Sequence, residues 1–168
     1  MLAELESESP EIRAKGSAEI LARHRPEDIA EIRRIAEKYL PNATRQGTVR
    51  DSILLLGKLR AVVEIPFLVR NLTFQAFYKN TKRPQPPEDL YPAVQALIDI
   101  GKPSVQPVLS RLASEDGDQL EANGALVLHH ILGRDGAQAM LSAEIAVKRD
   151  QRVQARLRRV AAAVGRLP

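Results

Sequence analysis

Residues 99–112 read Asp-Ile-Gly-Lys-Pro-Ser-Val-Gln-Pro-Val-Leu-Ser-Arg-Leu, and this stretch indicates the fold. It joins the end of one apolar segment to the start of another through Gly101 and Pro103, which together predict a helix stop and a tight turn. Residues 55–72 and 131–141 follow the same plan. Each stretch contains a helix end, a glycine, a short turn and a second helix. We therefore expect pairs of helices to recur along the chain.

The spacing of equivalent positions supports an array. Ile29, Ile65, Val105 and Ala137 begin the apolar part of four second helices, at separations of 36, 40 and 32 residues. A period in this range is typical of stacked helix pairs. One pair cannot bury its own apolar face, whereas stacked neighbours can. No stretch alternates in the manner of a strand, so the predicted class is all-α.

The predicted architecture is an α-α superhelix in a single domain, residues 1–168. It consists of four helix pairs, an irregular connection and a terminal helix. We place the pairs at about 9–41, 42–73, 90–114 and 117–148. The connection spans 73–90 and the terminal helix spans 150–167.

Local signals place the helix ends. Ser9, Pro10 and Glu11 predict a start, because serine caps a helix, proline fits its first position and glutamate favours its positive end. The first helix of the next pair is expected to begin near Thr44, and Gly57 is expected to end it.

Composition narrows the protein class. Of the 168 residues, 44% are apolar but only 4% aromatic, so the core must be aliphatic. The absence of cysteine excludes disulfides and thiolate metal sites. No apolar run approaches the roughly 20 residues that a membrane-spanning helix needs. The acidic start does not resemble a signal peptide, and we expect a cytoplasmic protein.

The net charge of +4 is unevenly spread. Residues 41–90 and 149–168 are basic, with net charges of +4 and +5, whereas residues 1–40 and 91–148 are acidic, with −2 and −3. Basic zones of this kind attract phosphates or acidic surfaces.

At residues 65–69 (Ile-Pro-Phe-Leu-Val) and 105–109 (Val-Gln-Pro-Val-Leu) the sequence resembles the HEAT repeat family, especially its short bacterial lyase-like subtype. The resemblance implies that second helices line a concave binding surface and first helices form a convex back. It also implies a binding scaffold. The sequence departs from longer HEAT repeats, in which an aspartate recurs in the turns, because only Asp135 occupies such a turn here.

The connection 73–90 interrupts the array and is too long for an ordinary helix–helix turn. Aromatic residues beside cations suit recognition of a peptide or a nucleic acid. The alternative is that the helix over 63–72 runs on to about Lys79 and packs these aromatics on a neighbour. The candidate contact residues in the connection are Phe74, Phe77, Tyr78, Lys79, Lys82 and Arg83.

Arginines mark two further candidate surfaces. Arg34 and Arg70 occupy equivalent places in aligned second helices, and Arg111 is one place off, which suggests a basic strip along the groove. On the terminal helix, four arginines lie within about 80° of one another at 100° per residue. They are Arg149, Arg152, Arg156 and Arg159.

The terminal stripe has several interpretations. It could bind phosphates, pair with acidic residues of the previous helix or of another subunit, or form a solvated end cap. The small side chains of residues 161–163 on the same helix would allow close self-association.

No pattern points to catalysis, a cofactor or a metal. The adjacent His129 and His130 point about 100° apart on a helix and cannot easily share a metal. No nucleophile elbow or phosphate-binding loop is present. We therefore expect a non-enzymatic scaffold that binds another protein, with nucleic-acid binding as the alternative, as in HEAT-like DNA-repair glycosylases. The bilin-attachment lyases share the repeat type, but nothing beyond the repeat points to their role.

Overall fold

The computed structural model describes residues 2–23, 25–76 and 90–168. Within these ranges the chain forms helices and no β-strand, which confirms the all-α class. The chain divides into two compact units, Met1–Ile100 and Gly101–Pro168.

The first unit contains short and medium helices joined by tight turns. They are α1 (Leu2–Leu5), α2 (Pro10–Arg23), α3 (Pro26–Tyr39), α4 (Gln46–Lys58), α5 (Ile65–Arg70) and α6 (Pro92–Ile100). The predicted start of α2 is confirmed, because the hydroxyl of Ser9 accepts a hydrogen bond from the backbone N–H of Ile12 at 3.3 Å. Single 3₁₀ turns precede two of the helices, Ala43–Arg45 before α4 and Val62–Glu64 before α5.

Helix α4 is the centre of the first unit and packs against both α3 and α6. Its core side is apolar, and Val49, Ile53 and Leu56 on that side are completely buried. A 3.6-residue period places these side chains on one face of the helix. Burying each of them contributes roughly 1.5–3 kcal/mol relative to exposure.

The expectation that Gly57 ends α4 is wrong, because the helix continues through it to Lys58. Gly57 is buried against α6, and a Cβ atom added to it would lie 2.5 Å from the Cα of Ala96. Glycine is therefore present because the two helix backbones approach closely, not because the chain must turn.

The actual stop lies three residues later, at Arg60. The N–H of Arg60 donates to Gly57 and the N–H of Ala61 donates to Leu56, which together form a Schellman motif. Arg60 adopts the left-handed conformation of that motif, with φ at 49°. The short turn predicted within residues 55–72 is thus confirmed, but its left-handed position holds an arginine where glycine is usual.

The second unit contains α7 (Val105–Ser114), α8 (Asp118–Val147) and α9 (Gln151–Arg166), with a 3₁₀ turn before α7. The predicted stop at Gly101 is confirmed by its φ of 85°. Gly133 interrupts α8 with φ of 72° and ψ of 169°, which confirms a break at the predicted turn.

Helix α9 provides most of the second unit's core. Leu157, Val160 and Val164 form its buried apolar face, and α9 packs along α8 and α7. Asp150 caps its start, where the carboxylate accepts a hydrogen bond from the N–H of Arg152 at 2.7 Å. Among the described residues, no helix has both the length and the apolar character needed to cross a bilayer.

Candidate functional site

The start of the 73–90 connection departs from helix. Helix α5 ends at Arg70, and the side chain of Asn71 donates a hydrogen bond to the carbonyl of Phe67 at 2.8 Å. An asparagine that bonds to nearby backbone competes with helix continuation. The alternative that the helix runs on to about Lys79 is therefore wrong over residues 71–76, which form a turn and irregular chain.

Of the six candidate residues in the connection, only Phe74 lies in the described part of the chain, where it is half-buried. The others lie outside the described residues: Phe77, Tyr78, Lys79, Lys82 and Arg83.

Two arginines of the predicted basic strip have acidic partners close by. The guanidinium of Arg34, exposed on α3, bonds to both carboxylate oxygens of Glu31, at 2.8 and 2.5 Å. These bonds lower the pKa of Glu31 and raise the pKa of Arg34. In the second unit, Arg111 pairs with Glu115 at 2.9 Å. Internal pairing reduces the charge that these two arginines offer to a ligand.

Arg33, which the sequence did not single out, lies where α3 approaches α5. Its Nε lies 3.3 Å from a carboxylate oxygen of Glu37, and its Nη1 lies 3.8 Å from one of Glu64. Arg70, at the exposed end of α5, also acts electrostatically on Glu64. These four side chains balance in charge when both carboxyls are ionised. We name them the α3–α5 cluster.

Glu64 is the buried member of this cluster, with 6% of its surface exposed. Burial raises the pKa of its carboxyl, and the nearby charge of Arg33 opposes that shift. The 3.8 Å separation is long for a charge-assisted hydrogen bond, so Arg33 compensates the buried carboxylate only in part. The sequence could not identify this group, because nothing local distinguishes Glu64 from a surface glutamate.

Two adjacent valines are exposed beside the cluster. Val62 and Val63, in the turn that precedes α5, expose 50% and 73% of their surface. Pro66, four residues after Val62, is also exposed. Single exposed apolar residues are ordinary, whereas neighbouring ones rimmed by charges are typical of contact surfaces. We name Val62, Val63, Pro66 and the α3–α5 cluster together the α3–α5 face.

The predicted stripe divides into two pairs. The expectation that Arg149 lies on the terminal helix is wrong, because α9 begins at Gln151 after its N-cap Asp150. Arg156 and Arg159 have acidic partners, whereas the side chains of the exposed Arg149 and Arg152 make no hydrogen bond or ion pair to the rest of the described chain. One of the predicted interpretations, pairing with acidic residues within the chain, therefore holds for half of the stripe.

The partners of Arg156 lie near the end of α7. Its guanidinium bonds to both carboxylate oxygens of Asp116, at 2.7 and 2.8 Å, and its Nη1 donates to the carbonyls of Ala113 at 2.6 Å and Leu112 at 3.4 Å. These carbonyls belong to the last turn of α7, where carbonyl groups have no hydrogen-bond donor within their own helix. Arg156, itself 7% exposed, therefore caps α7.

Arg159 bonds to Glu121 in the first turn of α8. Its Nη2 lies 2.5 Å from one carboxylate oxygen of Glu121 and 3.2 Å from Asp116. The bond to Glu121 raises the pKa of Arg159, and the bond from Arg156 lowers the pKa of Asp116. The acidic groups around residues 115–121 thus neutralise the inner half of the stripe.

No group of histidine and carboxylate side chains suited to a metal is found among the described residues. His129 and His130 meet edge to face, with ring centroids 5.6 Å apart. His24 lies outside the described residues.

Comparison with known proteins returns no relative. No protein-family model matches the chain, and neither a curated protein nor a solved structure is significantly similar to it.

Proposed function

We propose that this chain is a non-catalytic, HEAT-like scaffold that binds another protein through the α3–α5 face and the adjoining 73–90 connection. The observation that carries the proposal is the pair of exposed valines, Val62 and Val63, beside the charged α3–α5 cluster. An apolar centre with a charged rim is the usual anatomy of a protein interface.

The local structure of the turns supports the HEAT-like part of this proposal. A helix end, a left-handed residue, a 3₁₀ turn and a second helix follow one another at residues 58–70 and again at 100–114. The left-handed residue is Arg60 in the first copy and Gly101 in the second. In such an array α3 and α5 would be second helices, which line the binding side.

The proposed mechanism is recognition by a preformed surface. Val62 and Val63 lie on a turn whose ends are anchored by the buried Ala61 and Ile65. A partner would therefore cover exposed apolar area without first ordering this segment. Avoiding that ordering cost improves affinity for a given buried area.

The test is the substitution Val63→Glu with Val147→Glu as the matched control. Both valines are about equally exposed, at 73% and 71%, so neither change should unfold the protein. Tagged proteins are used to recover crosslinked partners from cell extract, and the partners are quantified by mass spectrometry. We expect Val63→Glu to lose a partner that wild type and Val147→Glu retain. Equal recovery by all three proteins would contradict the proposal.

Nucleic-acid binding is the second candidate, and the exposed Arg149 and Arg152 favour it because no acidic side chain among the described residues pairs with them. The double substitution Arg149→Glu, Arg152→Glu should weaken binding and reduce its salt dependence by a slope of about two. A gel-shift series at increasing salt measures both effects. Absence of binding by the wild type at low ionic strength would eliminate this function.

A further inference from the structure

An open cavity of about 220 Å³, lined by both apolar and polar groups, lies at the beginning of α4 in the first unit. Three arginines line it: Arg13 from α2, Arg45 from the turn before α4, and Arg50 from α4 itself. Gly47 and Glu8 also line it. A water molecule occupies about 30 Å³ in the liquid, so the cavity has room for a small ion and part of its hydration shell.

Arg13 is the most buried of the three arginines, with 7% of its surface exposed. Its Nε bonds to Asp51 at 2.7 Å, and its Nη1 donates to the carbonyls of Ser7 and Glu8 at 3.0 and 2.8 Å. Its Nη2 makes no hydrogen bond within the described chain. This nitrogen is not sealed from solvent, so a ligand in the cavity can reach it. It is therefore available to donate a hydrogen bond to a bound acceptor.

Gly47 lies directly against this unpaired nitrogen. A Cβ atom added to Gly47 would come within 2.6 Å of the Nη2 of Arg13, which is closer than real Cβ contacts. Glycine inside a helix costs roughly 0.5–1 kcal/mol relative to alanine. Here the absence of a side chain at Gly47 leaves room for the guanidinium of Arg13 beside the cavity.

The other two arginines increase the positive charge. Arg45 lies 3.7 Å from the mostly exposed Glu8, and its guanidinium also lies over the ring of Tyr39, 5.2 Å from the centroid. Arg50 lies 3.3 Å from Asp51, which Arg13 also contacts. The lining of the cavity therefore contains three guanidinium groups and one carboxylate, that of Glu8.

We propose that this cavity is a binding site for a phosphate group, held by the Nη2 of Arg13 together with the guanidinium of Arg45. Guanidinium groups bind phosphate through charge-assisted hydrogen bonds whose planar geometry matches the oxyanion. The hydroxyl groups of Thr44 and Thr48, which also line the cavity, provide additional polar contacts. This site is separate from the α3–α5 face, and it does not depend on the proposed protein-binding function.

The ligand could be free phosphate or a phosphate monoester, since the chemistry of recognition is shared. Titration calorimetry at low ionic strength with inorganic phosphate and with O-phosphoserine distinguishes the two sources. Sodium chloride at matched ionic strength serves as the control anion. We expect saturable binding of one phosphate group per chain by at least one of the probes. Failure of both to bind saturably, or equal heat from chloride, would overturn the proposal.

Gly47→Ala is the decisive variant, because it changes no charge and adds only the methyl group that meets Arg13. We expect it to weaken phosphate binding about tenfold or more, the effect of losing a hydrogen bond to a charged group. Gly165→Ala is the matched control, since its methyl would meet only the side chain of Gln138 in the second unit. Wild-type affinity in Gly47→Ala would overturn the proposal.

Arg45→Ala provides a second variant if Gly47→Ala disturbs α4. It should weaken phosphate binding by a similar factor. Arg34→Ala removes an exposed arginine elsewhere in the same unit and should leave binding unchanged. Far-UV circular dichroism of each variant establishes that it is folded before titration. Equal affinity of Arg45→Ala and Arg34→Ala would mean that no specific site exists at the cavity.

Discussion

Arg60 illustrates how a helix stop can be placed at the wrong residue. The sequence contains Gly57 at the end of an apolar run, and glycine is the usual residue at a helix C-terminus. The left-handed residue is instead Arg60, whose φ is 49°. A left-handed conformation costs a residue with a Cβ atom about 1–2 kcal/mol. Gly57 has a different role, because it allows the close approach of α4 to Ala96 of α6.

Replacing Arg60 with glycine should therefore stabilise the protein. Relief of the left-handed strain, less the greater entropy of glycine in the unfolded chain, leaves a gain of about 0.5–1 kcal/mol. The gain is measured as a higher urea midpoint. Lys58→Gly, two residues earlier in right-handed helix, is the control and should lose about 1 kcal/mol. A loss of stability in both variants would refute the explanation.

Glu64 should make the stability of the protein depend on pH. Because burial raises the pKa of its carboxyl, the folded state binds the proton more tightly than the unfolded chain. Its contribution is therefore full below the ordinary pKa of about 4.5 and is lost as the pH rises through the raised value. Glu64→Gln should gain stability relative to wild type between about pH 4 and pH 7. Urea unfolding at several pH values measures the difference.

The matched control for Glu64 is Glu31→Gln. Bonding to Arg34 lowers the pKa of Glu31, so its contribution is present above the ordinary value and is lost as the pH falls through the lowered one. This variant should lose stability relative to wild type at neutral pH and regain it in acid. If both variants showed the same pH trend, the explanation from burial would be wrong.

At the scale of the element, α9 combines an apolar face with a divided arginine stripe. Periodicity identified both faces of the helix, since helical spacing alone places residues around its axis. It could not identify the acidic partners of Arg156 and Arg159, which lie 40 and 38 residues earlier in the chain. The helix is thereby attached to the end of α7 and the start of α8. Of the four predicted stripe arginines, Arg149 and Arg152 have no partner within the described chain and are left for an external ligand.

Removing the cap that Arg156 provides should destabilise the second unit. Arg156→Ala leaves the final carbonyls of α7 without their charged donor, at a cost of about 2–3 kcal/mol. Arg152→Ala, on the same helix but exposed, should change stability by less than about 0.5 kcal/mol. Thermal unfolding followed by circular dichroism compares the two. Similar stability losses would mean that Arg156 does not act as a cap.

At the scale of the whole molecule, each of the two units has an aliphatic core of its own. Leu56 and Leu157 are among the buried residues of the first and second units, respectively. The sequence anticipated such cores from the near absence of aromatic residues. A division between residues 100 and 101 was not anticipated, and it falls within the predicted helix pair 90–114.

Substitutions in the two cores should act locally. Leu56→Ala and Leu157→Ala should each cost about 2–5 kcal/mol, the usual range for a truncated core leucine. Because each unit is compact and has a core of its own, each change should speed amide hydrogen exchange mainly in its own unit. Exchange measured by mass spectrometry tests this. A uniform loss of protection along the chain after either substitution would show one cooperative unit.

The sequence by itself determined what depends on near neighbours along the chain. Helix positions, the buried stripe of α4, the stops at Gly101 and Gly133 and the cap at Ser9 all follow from interactions within a few residues. These features obey helical period and backbone sterics, which are the same in any fold.

The tertiary structure decided what depends on distant residues. It made Gly57 a packing residue, buried Glu64 under Arg33, paired half of the α9 stripe and placed Arg13 against Gly47. Each of these outcomes depends on which segments meet in space, and the strength of a charge interaction depends on distance and burial. The pattern of residues 99–112, which recurs along the chain, therefore predicted the helices. It did not predict which charged side chains would be available to bind a ligand.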